Sequence, residues 1–156
     1  AMFNLGSYTP AHPRLVAMTW GAEDLAAAIG ATDNKEEDGS WTFPYQVARA
    51  QCLFAATAAE VLPIDTLYAD FRNPQGLEND CRRARRDGFV GRIAIHPDQV
   101  EIINRAFSPT AEQIAEAQAI VDAFAASPDA GTLGIGGKMY DIPHLKAARR
   151  TLAGAK

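Results

Sequence analysis

The chain has 156 residues, 47% of them hydrophobic and 22% charged, with 15 Lys and Arg against 19 Asp and Glu for a net charge of −4. That is enough chain for one compact domain with a real core, and its composition excludes global disorder, collagen and coiled coil. The acidic balance argues against a general nucleic-acid binder, and no apolar run approaches the ~18 residues of a membrane span. The first residues show neither the charged region nor the apolar core of a signal peptide. Two cysteines, Cys52 and Cys81, are too few for a disulfide scaffold or a zinc ribbon. Both fall among apolar residues in helix-like segments, so buried free thiols and a reducing cytoplasm are expected.

Residues 14–20 form an apolar run of strand length, broken by Gly21-Ala22-Glu23-Asp24. Residues 25–29 then read as a short helix, and the polar stretch 31–43 as a long exposed loop. Pro44 starts a helix to about Val61, because its missing N–H costs nothing in a first turn. Its apolar face is expected at Val47, Ala50, Leu53, Phe54 and Ala58. A second strand spans 64–69 and closes on Asp70. After the loop 71–76, residues 77–87 are helical with Gly88 as C-cap. A third strand, 92–95, ends at His96-Pro97. The helix 98–107 should turn Val100, Ile103 and Phe107 inward. Ser108-Pro109 reads as a cap and first-turn proline opening a helix to about Ala126. Residues 127–137 read as a small-residue linker, and 143–153 as a last helix.

Strand, loop and helix recur three times before the final helices. This order predicts an α/β fold with a parallel sheet and crossover helices. Ligands in such folds sit at the C-terminal strand ends, where Asp24, Asp70 and His96 fall. Asp24 suits a hard cation such as Mg²⁺, and equally an N-cap for 25–29. Asp70 either lines the same mouth or caps the loop after it. His96 either touches a ligand or is a satisfied structural residue. Arg82, Arg83, Arg85 and Arg86 are interspersed with Glu78, Asp80 and Asp87 and read as a solvated helix face, with an unspecific phosphate-binding role as the alternative. Gly134-Ile135-Gly136-Gly137-Lys138 lacks the spacing and the Ser or Thr of a phosphate-binding loop. Asp141 is a good local cap before Pro143.

Several of these segments together resemble one family. Residues 15–25 (Leu-Val-Ala-Met-Thr-Trp-Gly-Ala-Glu-Asp-Leu) are similar to the metal-site strand and loop of the citrate lyase beta-subunit-like family, which includes malyl-CoA lyases and belongs with the HpcH/HpaI aldolases. Residues 64–70 (Ile-Asp-Thr-Leu-Tyr-Ala-Asp) resemble its next strand. Residues 87–100, containing Ile95-His96-Pro97, resemble its most recognisable stretch, and residues 137–145 (Gly-Lys-Met-Tyr-Asp-Ile-Pro-His-Leu) its C-terminal lid motif.

The resemblance implies the C-terminal part of a (β/α)8 TIM barrel over residues 1–126, followed by a linker and a C-terminal helical lid over 127–156. It implies that the early strands belong to a longer chain, together with the family's substrate-holding arginine and its second metal ligand, a glutamate. Taken alone, such an open half-barrel would expose apolar strand edges. By the same resemblance Asp24 is an Mg²⁺ ligand, Asp141 the catalytic aspartate, and His96 and Pro97 approach the coenzyme A moiety. The implied reaction is carbon–carbon cleavage of an acyl-CoA to a thioester and a 2-oxo acid, or the reverse condensation. The implied assembly is a homo-oligomer, a trimer or hexamer, with the lid shared between subunits. Two other readings stay open: a non-catalytic or regulatory acyl-CoA-binding relative, and a small doubly wound binding domain complete in itself.

Overall fold

The computed structural model describes residues 2–9 and 12–155. The chain forms two compact units, Ala1–Phe107 and Ser108–Lys156. The boundary of packing therefore lies before the fifth helix, whereas the sequence reading set a boundary after residue 126.

The first unit begins with a 3-10 segment, Met2–Tyr8, and then runs β1 (Ala17–Met18), α1 (Ala22–Ile29), α2 (Phe43–Ala58), β2 (Leu62–Asp65), α3 (Pro74–Asp87), β3 (Gly91–Arg92) and α4 (Pro97–Phe107). The three strands pair in parallel in the order β1-β2-β3. Register is set by Ala17 opposite Leu62 and Met18 opposite Pro63, then Ile64 opposite Gly91 and Asp65 opposite Arg92. The expected parallel sheet is present, but its strands are shorter than the apolar runs suggested.

Alternation along β2 buries Pro63 and Asp65 on one face and leaves Leu62 on the other. That second face keeps apolar surface in water: Leu62 is 54% exposed, and Ile93 and Ile95, in phase with Gly91, are 38% and 49% exposed.

The four helices of this unit start one to three residues earlier than expected. Asn73 caps α3, its Oδ1 accepting from Gly76 N at 2.8 Å, so Pro74 already lies in the first turn. Gly88 closes the helix in the left-handed region with φ of 115°. The buried face of α2 is Tyr45, Ala48, Cys52 and Ala56, and not the expected one: Phe54 is 68% exposed and Ala58 is exposed too. Small residues at 48, 52 and 56 let the helix come close to its neighbours, which the large Phe54 of the other face would prevent. In α4, Ile103 is buried as expected, but Val100 is exposed and Gln99 takes the inward place. Gln99 is held there by donating to Tyr68 O and accepting from Ile95 N, both at 2.9 Å.

The second unit contains α5 (Ala111–Ala126), β4 (Thr132–Ile135), β5 (Lys138–Asp141) and α6 (Ile142–Ala153). The cap of α5 is Thr110 and not Ser108. Thr110 Oγ1 accepts from Gln113 N while Gln113 Oε1 accepts from Thr110 N, a reciprocal capping box. The stretch read as a linker is in part an antiparallel hairpin, β4 on β5, turning at Gly136-Gly137. Both glycines have positive φ, 57° and 80°, which a tight two-residue hairpin turn demands. The core of this unit joins Ile120 and Phe124 of α5 to Leu145 and Ala148 of α6, with Leu133, Ile135 and Tyr140 packed against them. No helix among the described residues is long and apolar enough to cross a membrane.

Candidate functional site

Parallel pairing puts the C-terminal ends of β1, β2 and β3 along one edge of the sheet, and the segments carrying Asp24, Asp70 and His96 all leave from that edge. Asp24 is an exposed residue in the first turn of α1. The alternative that it caps 25–29 does not hold, since the helix starts at Ala22 and its N-cap is Gly21, which offers no side chain. A Cβ at position 21 would lie 2.5 Å from Asp24 Oδ2, so glycine is what allows the carboxylate to fold back over the turn. Glu23 points elsewhere, accepting from Asn34 Nδ2 at 3.0 Å.

Glu23 thereby ties α1 to the polar loop 31–43, which is ordered. Thr42 N donates to Asn34 O at 3.1 Å, and Lys35 bridges Trp41. The Lys35 ammonium stands 3.1 Å from the centre of the Trp41 ring, and Trp41 packs edge-on against Trp20 at 5.2 Å. Burial pushes the Lys35 pKa below its ordinary value. A cleft of about 420 Å³ opens beside this loop, with Glu23, Lys35, Trp41, Asp70, Asp80 and Arg83 in its walls. The structure thus brings Asp70 to a cleft with Glu23, while Asp24 and His96 are not among its lining residues. Asp70 also serves its own turn, its Oδ1 accepting from Arg72 N at 3.3 Å.

His96 is held on two sides. Its ring stacks on Phe71 with centroids 4.7 Å apart, and its Nδ1 accepts from Asp98 N at 3.3 Å. Pro97 is the first residue of α4 and is exposed. The arginines of α3 form the expected solvated face: Arg82 pairs with Glu78 at 2.7 Å and Arg83 with Asp80 at 3.6 Å.

Sequence reasoning missed the buried charges under the strand ends. Asp65, the last residue of β2, is 1% exposed. Its carboxylate accepts from Trp20 Nε1 at 2.8 Å, Arg49 Nη2 at 2.9 Å, Arg92 Nη2 at 3.1 Å and the backbone N of Thr66 at 2.9 Å. Arg92 Nη2 also reaches Asp80 at 2.7 Å, and Arg49 Nη1 reaches Asp87 at 2.6 Å. The available signal was an Asp closing the apolar run 62–65, but partners 16 to 45 residues away leave no local pattern.

In the second unit Asp141 caps α6 as its sequence context suggested. His144 N donates to Asp141 Oδ1 at 3.3 Å, and His144 Nδ1 lies 2.5 Å from the same oxygen. That hydrogen bond holds the Asp141 carboxyl below the usual carboxylate range. Tyr140, next to it, sets its ring edge on His144 and donates to Glu116 Oε1 at 3.2 Å. The Gly134–Lys138 run is the hairpin described above and not a strand-to-helix phosphate loop.

No three His, Cys, Asp or Glu side chains among the described residues converge to hold a metal. At the C-terminal strand edge the donor expected for a cation, Asp24, is an exposed carboxylate. That donor suits Mg²⁺, which takes one or two protein carboxylates and fills the rest of its shell with water and substrate oxygens.

Residues 4–97 match the family HpcH/HpaI aldolase/citrate lyase. A (3S)-malyl-CoA thioesterase of Cereibacter sphaeroides is 36% identical over 148 residues, covering 94% of this chain and 50% of that protein. A mitochondrial citramalyl-CoA lyase of Homo sapiens is 36% identical over 140 residues, covering 88% and 40%. Among solved structures, the protein CitE from Mycobacterium tuberculosis, in complex with magnesium, acetoacetate and coenzyme A, superposes with a TM-score of 0.85 at 30% identity, over 99% of this chain and 57% of that one. The chain spans about half the length of the curated relatives it matches.

Proposed function

The chain belongs to the HpcH/HpaI aldolase/citrate lyase family, and from that premise we propose that it is the C-terminal portion of a (β/α)8-barrel lyase that cleaves or forms a carbon–carbon bond in an acyl-CoA with Mg²⁺. The carrying observation is Asp24, an exposed carboxylate folded over Gly21 at the C-terminal end of a parallel strand. The apolar face of the sheet around Leu62, Ile93 and Ile95 supports a barrel that further strands would close. The magnesium, acetoacetate and coenzyme A bound by the CitE neighbour support the ligand set.

In this reading Asp24 holds the ion, which when bound supplies Lewis-acid polarisation of the 2-oxo acid carbonyl. His96 and Pro97 approach the coenzyme A moiety, with the His96 ring fixed by Phe71 and the backbone of Asp98. Asp141 moves the proton at the acyl α-carbon. In the condensation direction its carboxylate takes that proton, and His144 keeps it ionised for the task. In the cleavage direction the substrate hydroxyl gives its proton to water as the bond to the 2-oxo acid breaks, and the same carboxyl, protonated from water, returns a proton to the α-carbon; condensation runs both transfers in reverse. Residues 127–156 act as a lid that carries Asp141 to the site of a neighbouring subunit in a homo-oligomer.

The test is an assay of malyl-CoA, citramalyl-CoA and citryl-CoA with the full-length protein that includes the rest of the barrel. Release of a 2-oxo acid in Mg²⁺, abolished by a chelator and restored by Mg²⁺, is the expected result. Binding of the esters without turnover would instead identify a non-catalytic acyl-CoA-binding relative.

A further inference from the structure

We infer that Asp65 and Thr66, at the end of β2, are positioning residues that clamp the β1–α1 junction and so hold Asp24 in place. The inference rests on the reading of Asp24 as a metal ligand. Gly21 carries no capping side chain, because the Asp24 carboxylate occupies the space where one would begin. The first N–H of α1 therefore needs an acceptor from elsewhere. It finds the Thr66 hydroxyl, with Ala22 N donating to Thr66 Oγ1 at 3.4 Å in a buried setting. On the other flank of Gly21, the Trp20 indole N–H donates to Asp65 Oδ1 at 2.8 Å. The same oxygen accepts from Thr66 N at 2.9 Å, so the two anchors are one rigid unit. Arg49 and Arg92 hold that unit from α2 and β3.

A buried carboxylate with two arginines is a poor way to gain stability alone, since apolar replacements of equal volume often do as well. Its distinctive property is orientation: four groups from four directions leave the carboxylate one pose. Both of its reaches toward β1 and α1 end on the neighbours of Gly21, the residue against which Asp24 rests. Groups that orient a ligand side chain are worth about 10- to 100-fold in metal affinity in other proteins.

The test uses Trp20→Phe and Thr66→Val, singly and together, in the full chain. Each deletes one hydrogen bond and leaves the buried charges paired. Hydrogen exchange over residues 20–26 reads the junction directly. It should accelerate about five- to tenfold, while exchange in α3 and α4 is unchanged. Calorimetric titration with Mg²⁺ should show an affinity about tenfold weaker in the double variant. Thr66→Ser should restore the wild-type values. Ile103→Val, a comparable loss of packing between α3 and α4, should leave both readings within twofold. Unchanged exchange over 20–26, or uniform acceleration along the chain, overturns the inference. A wild-type chain that binds no Mg²⁺ contradicts the proposed function instead, and the exchange reading still decides this point.

Discussion

The carboxylate of Asp24 rests on Gly21 so closely that a Cβ there would stand 2.5 Å from Oδ2. Gly21 has φ of −107°, a backbone that any residue can adopt, so its value lies in the missing side chain. Gly21→Ala should therefore fold, with a melting temperature within a few degrees of wild type. The methyl group should displace the Asp24 carboxylate and lower Mg²⁺-dependent turnover at least tenfold. Thermal melts beside an activity titration with Mg²⁺ check both parts.

Asp65→Ala leaves Arg49 and Arg92 without their shared partner, and the Arg92 side chain is 1% exposed. Among the described residues Arg92 Nε and Nη1 already lack partners, and its Nη2 keeps only the ion pair to Asp80. Breaking a buried ion cluster in this way should cost about 3–5 kcal/mol. Arg82→Ala, removing an exposed ion pair on α3, should cost below about 1 kcal/mol. Denaturant melts of the two variants read the contrast.

The catalytic role proposed for Asp141 is separable from its capping of α6. Asparagine is as good an N-cap as aspartate, so Asp141→Asn should keep α6 intact while losing turnover by about 10²- to 10⁴-fold. The hydrogen bond from His144 depresses the Asp141 pKa. A depressed carboxyl adds stability that is present above its unfolded value, about 3.9, and is lost as pH falls through the lower folded value. The cap should accordingly survive to more acid pH in wild type than in His144→Ala, and in the variant the acid limb of the condensation rate should move to higher pH. Rate profiles between pH 3 and 7 measure the shift.

Burial pushes the Cys81 thiol up to about 11, and it raises Cys52 as well. Both are buried free thiols. At pH 8 only about one Cys81 in a thousand is then thiolate. A thiol reagent should label neither residue in the native chain and both after unfolding, counted by mass.

Periodicity and end signals made most elements legible. Pro44, Gly88 and Pro143 mark helix ends that lie where the physics of a missing N–H or a left-handed cap requires. The face of α2 was not legible, because an alanine-rich helix has little contrast between stripes, and packing chose Tyr45 and its small neighbours. The β4–β5 hairpin was hidden by glycines that suggested a linker, although the pair Gly136-Gly137 is itself a turn signal. Asp24 and Asp141 stood out by their segments. Asp65 did not, because its partners Trp20, Arg49 and Arg92 meet it only through the pairing of strands and the packing of α2.

The most direct measurement is steady-state release of 2-oxo acid by wild type, Asp24→Asn and Asp141→Asn at saturating Mg²⁺. Losses of 100-fold or more in both variants, with melting temperatures near wild type, are the predicted result. Wild-type turnover in both variants would contradict the assignment of the site.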